Sequence, residues 1–206
     1  MQILEKNDLK KCVDILNANE LLAFPTETVF GLGIKATSEE NYLKLVKAKK
    51  RPSDKPFTLM CSKVEDFDKI CEINKLTQKI IKKFMPGPIT LILKTKKDVP
   101  HFLDLGSGYV GVRIPDDKFI LKMISEAGSP LLVPSANISS FPPAKNEKEV
   151  IAYFGDEISG VVKGECSNGV ASSIFKIENS NIIELRKGPI SLAEVLEVCK
   201  NDDCIS

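Results

Sequence analysis

Two stretches of this chain share one layout: a short apolar run, a proline, then small hydrogen-bonding residues. Residues 21–24, Leu-Leu-Ala-Phe, have the length of a buried strand. Pro25 ends the run and holds Phe24 extended. Thr26, Glu27 and Thr28 follow at the strand's C-terminal end, where open α/β sheets place ligands. Gly31 and Gly33 then permit a sharp turn or a close backbone approach. Residues 131–133 and Pro134-Ser135-Ala136-Asn137 repeat the pattern. By residue type alone each stretch also fits a polar turn between core elements, and a Gly-x-Gly by itself decides nothing.

The remaining pattern alternates strands with helices. Helices are predicted over residues 7–19, with Asn7 as candidate N-cap, 77–85, 118–127, 146–154 and 191–199, and one opens at the capping box Thr37-Ser38-Glu39-Glu40. On that helix Tyr42, Leu45, Val46 and Lys49 share a face, while Lys44 and Lys47 point away. Lys49 therefore stands on the core side, where a lysine either snorkels or meets an anion in a cleft. Further strands are predicted over 57–61, 89–93, 110–114, 161–163, 173–177 and 182–185. Along 110–114, Gly111 and Arg113 share one face, which reads either as a floor for something lying against it or as an edge strand with an exposed arginine. The expected fold is α/β, a twisted mixed sheet of about seven strands flanked by helices, with a hairpin-like region at 161–186.

At 206 residues one domain spanning 1–206 is the simplest organisation. A formal charge of +1 gives no global basic field for nucleic acid. Six cysteines include no Cys-x-x-Cys pair and His101 is the one histidine, so no metal site is expected. Scattered cysteines fit a reducing cytosol, and a cytoplasmic location is expected. Charges come too early for a signal peptide, no run reaches membrane-spanning length, and the last few residues are expected to fray.

Five cations fall near loops or strand ends: Lys49, Arg51, Lys55, Arg113 and Arg186. Three of them lie within seven residues, partly on the stiff backbone of Arg51-Pro52-Ser53-Asp54-Lys55-Pro56, and form the best candidate anion cradle. Thr26, Thr28, Ser135, Asn137 and Ser172 add neutral hydrogen-bonding groups. No Ser-His-Asp set or His/Cys nucleophile pair is present, so covalent and general acid–base mechanisms are poorly supplied. Positioning and charge stabilisation are well supplied, which suits phosphoryl or nucleotidyl transfer. There is neither a Walker A loop nor a Gly-x-Gly-x-x-Gly, so a nucleotide would be held by side-chain cations.

These positions, over residues 8–190, resemble the YrdC-like family. The resemblance rests on Pro25-Thr26-Glu27-Thr28-Val29-Phe30-Gly31-Leu32-Gly33, on Lys49-Lys50-Arg51-Pro52 (Lys-x-Arg), and on Pro134-Ser135-Ala136-Asn137 (Ser-x-Asn). Pro86-Gly87-Pro88-Ile89-Thr90, Val112-Arg113-Ile114-Pro115 and Leu185-Arg186-Lys187-Gly188 agree as well. It implies a short, single-domain YrdC-like fold with a cationic cleft. The implied reaction joins L-threonine, bicarbonate or CO₂, and ATP into threonylcarbamoyl-AMP and pyrophosphate, for N6-threonylcarbamoyladenosine at position 37 of tRNA. By similarity Thr28, Arg113, Val133 and Ser172 would hold L-threonine. Lys49, Arg51, Lys55, Ser135, Asn137 and Arg186 would surround ATP, with Lys49 and Arg51 lowering the barrier. Mg²⁺ would travel with ATP, and tRNA or the downstream transfer machinery is a candidate partner. Met60, Tyr109 and Pro143 depart from residues common in relatives and bear on amino-acid and ribose fit. Two other readings are a family member without synthase activity and an RNA-binding protein using the basic cleft.

Overall fold

Five of the helices begin at side chains that replace missing backbone partners. The computed structural model describes residues 1–166, 169–179 and 181–200. Helix α1 (Leu9–Asn17) starts after Asp8, one residue beyond the Asn7 expected to cap it. Ser38 caps α2 (Glu39–Lys49) by accepting from the Asn41 amide. Asn74, Asp117 and Asn146 do the same for α4 (Lys75–Phe84), α6 (Lys118–Ala127) and α7 (Glu147–Phe154). Ser191 and Glu194 form a reciprocal capping box on α8 (Leu192–Lys200). Two single-turn helices, α3 (Glu65–Asp68) and α5 (His101–Asp104), complete the set in the described residues. Among those residues no helix is long and apolar enough to cross a membrane. The expected fraying of the C-terminus concerns residues outside the described ones.

The strands are β1 (Gln2–Leu4), β2 (Leu22–Phe24), β3 (Gly31–Lys35), β4 (Leu59–Met60), β5 (Ile89–Lys94), β6 (Tyr109–Arg113), β7 (Leu131–Leu132), β8 (Gly160–Val162), β9 (Ser173–Glu178) and β10 (Asn181–Arg186). They form one mixed sheet in the order β1-β8-β2-β3-β7-β4-β6-β5-β9-β10. The mixed α/β class agrees with expectation, but the sheet has ten strands among the described residues rather than about seven. β1 is three residues beside a charged terminus, and β3 reads as a turn because two of its five residues are glycine. The 161–186 region is also not one hairpin. β8 pairs in parallel with β1 and β2 toward one end of the sheet, and only β9 and β10 pair antiparallel, at the other. β6 is an interior strand, parallel to β4 and antiparallel to β5.

The two faces of this sheet are covered unequally, and that difference makes the site. One face buries Leu32, Leu59, Leu91, Val110, Val112 and Phe175 beneath α2, α4, α5, α7 and α8. The opposite face meets α1 and α6 over β2, β7 and β8, through Leu16, Ile120 and Ile124 against Leu22, Leu131 and Val162. Two helices cannot span ten strands. Across β4, β6, β5 and β9 the floor of this second face is left open.

Candidate active site

Period-two alternation sends Tyr109, Gly111 and Arg113 of β6 to the open face, with Thr90 and Ile92 of β5 and Thr58 and Met60 at β4. Ser172 and Ile174 join them from β9, and Val133, Pro134 and Ser135 from the end of β7. The result is a cleft of about 410 Å³. Gly111 keeps its floor low: a Cβ there would meet Thr90 Cγ2 at 3.5 Å and stand in the cleft.

Three arginines from distant parts of the chain line this one cleft: Arg51, Arg113 and Arg186. Arg51 arrives because α2 stops at Lys49 and Lys50 turns left-handed (φ 47°), with the amides of Lys50 and Arg51 closing on the Lys47 and Val46 carbonyls. Its guanidinium lies 4.9 Å from the Phe57 ring centroid. Burial lowers its pKa from the ordinary arginine value. Arg113 is 6 % exposed and is paired to Glu27 Oε1 at 2.7 Å. It also donates to Thr28 Oγ1 at 3.0 Å. Its Nε and the second Glu27 oxygen are buried without hydrogen-bond partners. Arg186 is exposed as a residue, yet its guanidinium end is tucked against Ser172: Nε donates to the Ser172 carbonyl at 2.8 Å and Nη2 to Ser172 Oγ at 3.0 Å. Desolvation and then the charge of Arg113 lower its pKa, so the two guanidiniums feel each other. Like charges held together on a partly dry surface create a place where an anion relieves repulsion.

The other expected site residues divide into two groups. Val133, Ser135 and Ser172 line the cleft. Thr28 does not; it is fully buried, hydrogen-bonded to Thr26 and Arg113, and stands behind the arginine. Lys49 and Asn137 are also behind the wall. Lys49 is 3 % exposed, and its ammonium donates to the backbone oxygens of Ser135 and Asn137 and to Asn137 Oδ1. Asn137 spends its amide on the carbonyls of Ile138 and Phe141, and its oxygen also accepts from Ser135 Oγ at 2.6 Å. In return Ser139 donates its amide and hydroxyl to the Lys49 carbonyl. This reciprocal knot fixes the loop that carries Ser135. Lys55 is exposed and is not among the lining residues.

Sequence reasoning missed Thr90, whose hydroxyl is 2.9 Å from Ser172 Oγ, and gave no role to Glu27. Thr90 was findable, because it alternates out of the apolar set Ile89, Leu91 and Leu93. The Glu27 pairing had no local signal. Among the described residues no group of three His, Cys, Asp or Glu could hold a metal ion.

A family model of Sua5, YciO and YrdC proteins, described as "Telomere recombination", matches residues 14–188. A threonylcarbamoyl-AMP synthase from Pyrococcus abyssi is 32 % identical over 197 residues, which are 95 % of this chain and 58 % of that protein. One from Escherichia coli K12 is 32 % identical over 165 residues, 79 % of this chain and 86 % of that one. The crystal structure of P. abyssi Sua5 complexed with L-threonine superimposes with a TM-score of 0.91 at 31 % identity, over 97 % of this chain and 61 % of that one. The chain thus spans somewhat under two thirds of the archaeal relative's length.

Proposed function

The chain belongs to the Sua5/YciO/YrdC family, and from that membership we propose that it is a threonylcarbamoyl-AMP synthase, using L-threonine, bicarbonate or CO₂, and ATP. The observation that carries this reading is the meeting of Arg51, Arg113 and Arg186 with Ser135 and Ser172 on one uncovered stretch of sheet. Relatives named for this activity, and one solved with L-threonine, support it.

The threonine amine adds to CO₂ and loses a proton, giving a carbamate. A carbamate oxygen then attacks the α-phosphorus of ATP and pyrophosphate leaves. Both partners are anionic, so the approach is repulsive unless fixed cations lie on both sides of it. Arg113 holds the threonine carboxylate through Nη1, since Glu27 and Thr28 both take the Nη2 nitrogen. Ser172 and the Val133 carbonyl complete the amino-acid end. Arg51, Arg186 and Ser135 take the phosphates, with Lys55 at the rim. Lys49 and Asn137 serve by holding the Ser135 loop rather than by touching the nucleotide. Mg²⁺ would enter on the phosphates and neutralise part of their charge. The product would supply threonylcarbamoylation of adenosine 37 in tRNA.

The test is pyrophosphate release by purified protein with ATP and bicarbonate, with and without each amino acid. Release that depends on L-threonine is the expected result, and Arg51→Ala is expected to abolish it while the thermal midpoint stays unchanged. Absence of threonine dependence in the wild type rejects the proposal.

A further inference from the structure

The open cleft has two chemically different ends. Arg113 closes β6 at one, and Tyr109 opens the same strand on the same face, four residues away. At a strand rise of about 3.3 Å per residue that is roughly 13 Å. Between them Gly111 leaves the floor bare. Ser107 lies near Tyr109, Ile92 lies opposite Gly111 in the middle of the floor, and Ile174 stands at the guanidinium end beside Arg186.

Tyr109 is also held fast. Its hydroxyl donates to Glu178 Oε1 at 2.6 Å. Lys176 pairs with that same oxygen at 2.9 Å and places its ammonium 3.9 Å from the Tyr109 ring centroid. Glu178 and Lys176 stand on β9, with β5 lying between β9 and the tyrosine's own strand, so the ring is pinned across an intervening strand. A ring fixed before a ligand arrives loses little freedom on binding. Two aromatic residues line the cleft. Phe57 is 2 % exposed and faces Arg51, whereas Tyr109 is half-buried.

We propose that Tyr109, clamped by Glu178 and Lys176, is the wall on which the purine of the nucleotide stacks, and so a specificity-determining residue of the site. The inference rests on the synthase reading for the presence of ATP and adds where its base lies. A nucleotide is itself two-ended, with a polyanion and a flat π-face. The cleft offers guanidiniums to one and a fixed aromatic to the other. Stacking on an aromatic side chain is tolerant of the base, so Tyr109 provides grip on purines as a class.

Binding of AMP, ATP, inorganic tripolyphosphate and L-threonine is measured by calorimetry on wild type and on Tyr109→Leu, Tyr109→Phe and Glu178→Ala, each checked for folding by its thermal midpoint. Tyr109→Leu should weaken AMP and ATP by about tenfold and leave tripolyphosphate and L-threonine within twofold. Tyr109→Phe, which keeps the ring, should stay close to wild type, and Glu178→Ala, which frees the ring, should fall between. Unchanged AMP affinity in Tyr109→Leu overturns the proposal, as does a loss confined to L-threonine. If Tyr109→Leu does not fold, equal losses of AMP and tripolyphosphate in Glu178→Ala overturn it, and a loss of AMP alone supports it. Wild-type protein that releases no pyrophosphate with L-threonine rejects the synthase reading; wild type that does so while Tyr109→Leu binds AMP normally rejects only the stacking wall.

Discussion

In the proposed reaction Lys49 would act without facing the substrates. Its position on α2 turns it inward, and its Nζ meets three oxygens of the 135–137 segment. An ammonium has three N–H bonds for three acceptors; the neutral amine has two. Burial first, and the charge of Arg51 second, push its pKa from 10.5 down to about 7. Because the folded-state value is depressed, the proton is lost as pH rises through about 7, far below an exposed lysine. The tether on the Ser135 loop then slackens, and kcat/KM should fall as pH is raised from about 7 to about 9. Stability moves the other way for this group. Between about 7 and 10.5 the unfolded chain binds more protons at this lysine than the folded one, so its contribution to stability rises with pH. A pH–rate profile recorded beside urea midpoints separates the two, since general alkaline unfolding would lower both together. Lys49→Arg, which stays charged, should lack the basic limb of the rate profile.

At the scale of elements, β3 is held by what its glycines leave out. A Cβ on Gly31 would lie 2.6 Å from Val133 Cγ1, and one on Gly33 would lie 2.7 Å from Phe24 Cε1. Gly31 also bridges to Ser135, so the strand supports the cleft wall directly. Gly31→Ala should therefore cost about 1–3 kcal/mol by overpacking and raise KM for both substrates, as urea unfolding and steady-state kinetics would show. Adding Val133→Ala should recover much of the stability by returning the space. The same strand explains the limits of reading the sequence. Leu32 and Ile34 alternate as a strand should, but two intervening glycines carry the signature of a turn, and the Phe24 and Val133 side chains that need those gaps belong to other elements. β2, β5, β6 and the helix starts at Ser38 and Ser191 were legible because local periodicity and capping residues determine them, whereas the Asn74 and Asp117 caps were not foreseen. The three cleft arginines were legible by type and motif. The inward turn of Lys49 was legible too, but its acceptors were not, because they come from a loop far along the chain. The pairing of β8 with β1 and β2, instead of with β9, is a tertiary fact with no local signal.

The molecule as a whole is nearly neutral, with a formal charge of +1, so under the proposed function its attraction for anionic substrates would not come from a global field. It would come from the three guanidiniums concentrated on one bare stretch of sheet. Most other ion pairs are surface contacts, such as Lys6–Asp117, Lys94–Glu72 and Lys163–Glu5, each involving at least one side chain about half-exposed. Such pairs contribute little to stability, and the fold rests instead on the two apolar layers against the sheet. Function and stability should thus respond differently to salt. Raising NaCl from about 0.05 M to about 0.5 M shortens the Debye length to roughly 4 Å, which screens the open cleft's approach to ATP but leaves apolar burial intact. KM for ATP should rise several-fold while the thermal midpoint changes by no more than a few degrees. With the proposed substrates seated, water would be displaced and screening would weaken, so kcat should change less than KM. A thermal midpoint that fell in step with activity would mean that ion pairs, not apolar layers, hold the sheet together, and that the cleft has no electrostatics separate from the fold's.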